Sequence, residues 1–377
     1  MDSYDYPHER IVAERVMQRV AWATEHFRAH HLAPAPAPED ADRRPVPVPV
    51  TVAVYASQAI LVAGIHGAFA RDRFVGKELA DQYRGGSSVV HQQVWDLVST
   101  IKALEEQQPG LSSIDSPAWP ESPEHIVDLL AMGGGSKTAY GHVWAVDAIA
   151  ETGSYAAGYH YTGVAALLVD GLEELAVVVC PRLHPPYYVF NDLTRARNWD
   201  SDRFCLSERG CLLSAARGQG VRARALRSYP AYSSPPLCAF QGIPALRDGV
   251  RATFAPRAGP HRLTPASRRL AEPLPANSMQ LRYVMCALGW CEFFSDALES
   301  SSDRFVWCHA GGMLLLSEIG GRTTDWSGRA IDWGVGRELG PTVEIFAATA
   351  RFHTTVLGRG SIEVLSGFYF ALDSPRE

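Results

Sequence analysis

The stretch VWCHAGGMLLLSEIGGRTTDWSGRAIDWGVGREL, residues 306–339, joins two textures. Its first half reads as an apolar helix leading toward a strand, and its second half as turns and short strands. Asp325 and Asp332 fall in those turns and are read as turn and capping carboxylates. Just upstream, SMQLRYVMCALGWCEFF (278–294) repeats the helix–strand pattern, whereas residues 229–280, rich in Pro, Ser and Arg, have no clear period and read as loop with short elements. Further out lie strand-like runs broken by Asp-Gly and Arg-Gly turns: GHVWAVDAI (141–149), YTGVAALLVDGLEELAVVVCPRL (161–183) and CLLSAARGQGVRARAL (211–226). The chain begins with helical patterns. Ile11, Val12, Val16, Val20 and Trp22 mark the first, and a proline-rich connector (33–50) separates it from apolar helices at 51–69 and 87–107. Helices, then a strand meander, then alternating units predict an α/β protein built as a layered sandwich.

The 377 residues are enough for two layers of core or two domains. A net charge of -6 argues against a nucleic acid polymer as partner, because phosphate neutralisation needs a basic surface. It leaves room for a small phosphorylated ligand held by local Arg residues. The seven cysteines show no CxxC pair, the pattern of a reducing compartment with thiols used as small buried hydrophobes. The acidic N-terminus lacks the apolar core of a signal peptide, and no run approaches the ~20 apolar residues of a membrane span. The expectation is a cytoplasmic globular protein with a small-molecule ligand and no membrane partner, its oligomeric state open. GGGSKT (133–138) lacks the Gly-Lys frame and preceding strand of a phosphate loop and reads as a plain loop.

Trp307, His309, Ala310, Gly312, Glu318, Gly320, Gly321, Thr324, Asp325, Gly328, Asp332, Gly336 and Arg337 carry a specific spacing. It resembles the C-terminal segment of the inositol monophosphatase superfamily, and most closely its 3'(2'),5'-bisphosphate nucleotidase branch. PVTVAVYASQ (49–58), FVGKELADQYR (74–84) and VWAVDAIAETGSYAAG (143–158) resemble further family motifs in the same order. The resemblance implies a layered α-β-α-β-α sandwich of the sugar-phosphatase type. The expected division is an N-terminal α+β domain with the metal loops (1–185) and a C-terminal α/β domain closing the pocket (186–377).

It also implies phosphomonoester hydrolysis by a cluster of Mg²⁺ ions held on carboxylates. Matched by motif, the first Glu of the family's Gly-Glu-Glu loop is Lys77, the second Asp of its Asp-Pro-Ile-Asp-Gly-Thr turn is Ala150, and the Asp of Trp-Asp-His is Cys308. The Asp that assists the water-activating Thr is Val54; of the metal carboxylates Asp147 survives, and Thr152 is retained. A Lys ammonium in a dication site is repulsive by several kcal/mol at an effective dielectric near ~20. The basic stretch that follows the turn in nucleotidases is replaced by Gly153–Gly158.

The first expectation is therefore a repurposed pocket without metal or other cofactor, which binds a small organic molecule. Lys77, Asp147, Glu151, Thr152 and His160 are its candidates for acid–base chemistry such as isomerisation, cyclisation or dehydration. Glu151, in place of a family Gly, either joins that chemistry or fills the vacated space by pairing with Lys77. Tyr155, Tyr159, Gln280, Arg282, Tyr283, Cys308 and His309 complete the expected ligand-binding set, Cys308 as an apolar space-filler. The second expectation is a Mg²⁺-dependent bisphosphate nucleotidase in which Glu78 and Glu151 substitute for Lys77 and Ala150. The third is a non-catalytic protein with a regulatory partner.

Overall fold

The computed structural model describes residues 5–32, 50–107, 116–135, 139–183, 210–226, 238–240, 252–254, 278–288, 293–296, 304–325, 327–340 and 345–357. The first helix, α1 (Pro7–His31), carries Pro at its start, Glu9 in its first turn and Arg28, His30 and His31 in its last, which suits the helix dipole. It packs on α2 (Val50–Ala68), with α4 (Ser88–Glu106) and α5 (Pro123–Met132) alongside. Ser87 and Ser122 cap the latter two, accepting from Val90 N at 3.3 Å and His125 N at 3.1 Å. The short α3 (Ala80–Arg84) precedes α4 and packs on α5. Helix α2 is long and apolar enough to cross a membrane by length and composition, which corrects the expectation that no run approaches a span. Its apolarity has a simpler cause: most of it is buried between helices and sheet.

Those helices cover one face of a seven-stranded sheet in the order β1 (Arg73–Gly76), β2 (His142–Ala150), β3 (Thr162–Val169), β4 (Leu172–Cys180), β5 (Cys211–Ala216), β6 (Val221–Ala225), β7 (Cys238–Phe240). β1 runs parallel to β2 and the remaining pairs are antiparallel. Strict alternation sends Ala165 and Leu167 to the helical layer and Val164, Ala166 and Leu168 to the opposite core. Asp170 and Gly171, both at positive φ, close the β3–β4 hairpin as its Asp-Gly turn. β4 pairs with β5 across the expected boundary near residue 185.

On the other face lie α7 (Met279–Ala287) and α8 (Val306–Glu318). Gly311 and Gly312 let α8 come close: a Cβ on the first would meet Val164 at 2.4 Å, and one on the second Tyr283 at 2.5 Å. Beyond them is a four-stranded sheet ordered β10 (Gly321–Asp325), β11 (Ile345–Thr349), β9 (Phe293–Asp296), β8 (Ala252–Phe254), followed by α9 (Ala350–Leu357). Helices, sheet, helices, sheet and helix make the α-β-α-β-α sandwich expected. Asp325 and Asp332 serve their turns, accepting from Ser327 N and Gly334 N at 2.8 Å. The proline-rich connector (33–49), residues 136–138 of the GGGSKT loop and most of the Pro/Arg-rich region 229–276 lie outside the described residues.

Candidate active site

Parallel strands β1 and β2 end side by side, and a ligand cleft is expected beyond such carboxyl ends. A cleft of about 540 Å³ lies there, within the usual range for small-molecule sites. Lys77 and Glu78 follow β1, while Asp147, Ala150, Glu151 and Thr152 come from the end of β2 and the turn into the five-residue helix α6 (Thr152–Ala156). Gln280 and Cys308 enter from the starts of α7 and α8, and Arg337 from the C-terminal turns.

Local geometry aims these groups. The β2–β3 register slips between Asp147 and Ala150, where three steps along β2 meet two along β3. Such a bulge re-aims side chains at a strand end. Glu151 then takes a left-handed conformation, φ 66° and ψ 67°, at the place where the family motif has Gly. Non-Gly residues held in that region cost on the order of 1–3 kcal/mol, and they concentrate at functional sites. From α2, Gln58 holds the other loop, donating to Glu78 O at 2.7 Å and accepting from Glu78 N at 2.9 Å.

Lys77 Nζ donates to Ile149 O at 3.0 Å and lies 3.5 Å from Asp147 Oδ2. Asp147 is thus a carboxylate partner of Lys77, and Glu151 also acts on the Lys77 charge. Asp147 also accepts from Ile149 N at 3.1 Å. Burial pushes the Asp147 carboxyl up, against the pull of Lys77 and that backbone bond. Burial likewise raises Glu78 to about 7, with Lys77 opposing the shift and Asp147 adding to it. Burial lowers Lys77, but Asp147, Glu78, Cys308 and Glu151 together outweigh it and the net shift is upward. Arg337 donates to Gly76 O at 2.8 Å and to Gly133 O, with its guanidinium 4.8 Å from the Trp307 ring centre. Trp307 is stacked on Phe305 at 4.5 Å, and the two form an aromatic wall of the cleft.

Of the expected site residues, Lys77, Asp147, Glu151, Thr152, Gln280 and Cys308 line this cleft. The others lie elsewhere. The Tyr155 hydroxyl donates to Thr24 O at 2.8 Å, because the one-turn helix α6 presents that face to α1. His160 is buried outside the lining, and Tyr159 and Arg282 also stand outside it. Tyr283 and His309 bond each other at 3.1 Å inside the second core, a packing role between α7 and α8. Arg337 was legible as a motif match but not as a lining residue, and Glu78 only as a substitute ligand. Gln82, Ser278 and Phe305 were not singled out, and Trp307, like Arg337, was legible only as a motif match.

The pattern of the inositol monophosphatase family matches residues 35–357. The chain belongs to that family. A 3'(2'),5'-bisphosphate nucleotidase of Emericella nidulans is 25% identical over 309 residues, covering 80% of this chain and 85% of that protein. Its counterpart in Schizosaccharomyces pombe is 25% identical over 300 residues, 78% of each chain. The crystal structure of a staphylococcal IMPase-II shares the fold, with TM-score 0.50 and 13% identity over 95% of this chain and 98% of that one.

Membership corrects the expectation of a protein without cofactor, since the family's phosphatases are Mg²⁺-dependent. The donors present fit Mg²⁺ in a restricted way. Glu78, Asp147 and Glu151 supply hard oxygens, and the lining carries these three carboxylates against two cations, Lys77 and Arg337. A phosphate dianion entering that cleft needs further positive charge. Among the described residues no three His, Cys, Asp or Glu side chains form a ready cage. Mg²⁺ commonly manages with one or two carboxylates, water and substrate phosphate. The residues therefore fit an ion that arrives with substrate, and they do not fit a carboxylate-rich cluster of several ions.

Proposed function

We propose that this chain is a Mg²⁺-dependent phosphomonoesterase of the bisphosphate nucleotidase kind, acting on a small phosphorylated organic molecule. The observation that carries the reading is the trio Glu78, Asp147 and Glu151 at the carboxyl ends of two parallel strands. Its setting supports it, a chain that aligns over 80% of its length with a bisphosphate nucleotidase. One or two of those carboxylates would hold the ion together with water and substrate phosphate, and when bound it supplies an activated water and charge stabilisation at the leaving oxygen. The Thr152 hydroxyl, next to Glu151, would orient the water. Arg337, anchored on Gly76 O and Gly133 O, keeps the Trp307–Phe305 wall in place for the organic part of the substrate.

A second reading is a repurposed pocket that binds the phosphorylated molecule without hydrolysing it. The hold of Lys77 on Asp147, with Ala150 and Cys308 in the same lining, favours it. The experiment is phosphate release from adenosine 3',5'-bisphosphate and from inositol monophosphates. Release that a chelator abolishes and Mg²⁺ restores is expected, with a loss on the order of 10²-fold or more in Asp147→Asn. Binding with no release at any Mg²⁺ concentration would support the second reading instead.

A further inference from the structure

Among the positions where this pocket departs from its family's motif, Lys77 has a defined geometry. Lys77 Nζ sits between a carboxylate oxygen of Asp147 at 3.5 Å and the carbonyl oxygen of Ile149 at 3.0 Å. A carboxylate and a carbonyl converging on one point are oxygen donors suited to a cation. Here the cation is covalently attached to the chain. An ammonium has three N–H donors, and the two oxygens engage two of them. The side chain is 30% exposed, and its exposed part lines the cleft. The remaining donor is thus the one available to a ligand.

We propose that Lys77 is a phosphate-binding residue, a tethered cation that contacts a phosphate oxygen of the ligand and replaces part of the positive charge that metal ions would otherwise supply. The inference rests on the reading of the cleft as a phosphate site. Lys serves phosphate as a compact point charge, without the directional fork of Arg. Asp147 and Ile149 O fix where that charge stands, so the ammonium need not be ordered when the ligand arrives. The pocket thereby binds phosphate by two additive means, one built into the chain and one supplied by Mg²⁺.

The test separates this residue's role from hydrolysis. Binding of inorganic phosphate to the full chain is measured by calorimetry in EDTA, for the wild type, Lys77→Met and Lys77→Arg. Measurable wild-type binding is expected, weakened about tenfold or more in Lys77→Met and partly kept in Lys77→Arg, because charge is retained. Equal affinity in wild type and Lys77→Met, or no wild-type binding in EDTA, overturns the proposal. Because Lys77→Met leaves Asp147 buried without its partner, a wild-type crystal soaked with tungstate in EDTA provides a second measurement. Oxyanion density within hydrogen-bonding reach of Lys77 Nζ supports the assignment, and density only elsewhere overturns it. Phosphate release is assayed separately, so a wild type that binds through Lys77 but does not hydrolyse refutes the phosphatase reading alone.

Discussion

Two ion pairs in this protein use similar chemistry to opposite ends. Arg19 and Glu105 join α1 to α4 with side chains 0% and 5% exposed, and every strong donor is used. Arg19 donates to Glu105 Oε1 at 2.9 Å, to Pro117 O at 2.7 Å and to Ser116 Oγ, while Trp119 both covers its guanidinium and donates to Glu105 Oε2 at 3.0 Å. Lys77 and Asp147 make a longer contact at the mouth of a cleft, with Glu78 and Glu151 beside them. The first arrangement is closed and holds helices together. The second keeps three carboxylates beside two cations in an open cleft, where a ligand and a metal ion can both be received. The difference separates a structural ion pair from a binding one.

The largest effect should come from the closed pair. Arg19→Met leaves Glu105 buried and unpartnered by a cation, and is expected to cost about 3–5 kcal/mol in chemical denaturation. Phosphate binding per folded molecule should not change. Loss of binding in the folded variant would break the comparison, because it would couple the two sites.

A smaller effect is expected at Glu78. Folded Glu78 keeps its proton to about pH 7, whereas the unfolded chain releases it near the ordinary carboxylate value of 4.5. Between those limits the folded state binds more protons, so its contribution to stability is full below pH 4.5 and is lost as the pH rises through 7. In EDTA, denaturation midpoints of the wild type should fall across that window more steeply than those of Glu78→Gln. Parallel profiles would show that Glu78 is not under the electrostatic pressure described.

The smallest expected change has the opposite sign. Glu151→Gly places the residue suited to positive φ at the strained turn and should stabilise the protein by about 1 kcal/mol. Mg²⁺-dependent phosphate release should fall at the same time. A variant that gains stability and keeps full activity would make Glu151 a filler and leave Glu78 and Asp147 as the functional carboxylates.

Much of this arrangement was legible in the chain itself. The periodic face of α1, the Asp170-Gly171 turn and the Gly311-Gly312 pair each encode a local requirement that survives folding. Lys77, Asp147, Glu151 and Cys308 could be brought together because their motifs lie at strand ends that the family spacing aligns. Tyr155 could not be placed, since a one-turn helix has no periodicity to fix its facing; only packing against Thr24 and Tyr161 decides it. Strand β1 has only four residues, Arg73–Gly76, too few to show a pattern, and its burial depends on parallel pairing with a strand about 70 residues away. The charge count of the cleft was only partly legible, because Arg337, its second cation, reaches it from the far end of the chain.

The central claim is that the cleft takes phosphate together with Mg²⁺, Lys77 already supplying part of the positive charge. It is tested most directly by the dependence of phosphate release from adenosine 3',5'-bisphosphate on Mg²⁺ concentration below saturation. First-order dependence, with no release in EDTA, is the predicted result. Release that persists in EDTA, or an order of two or more in Mg²⁺, would contradict it.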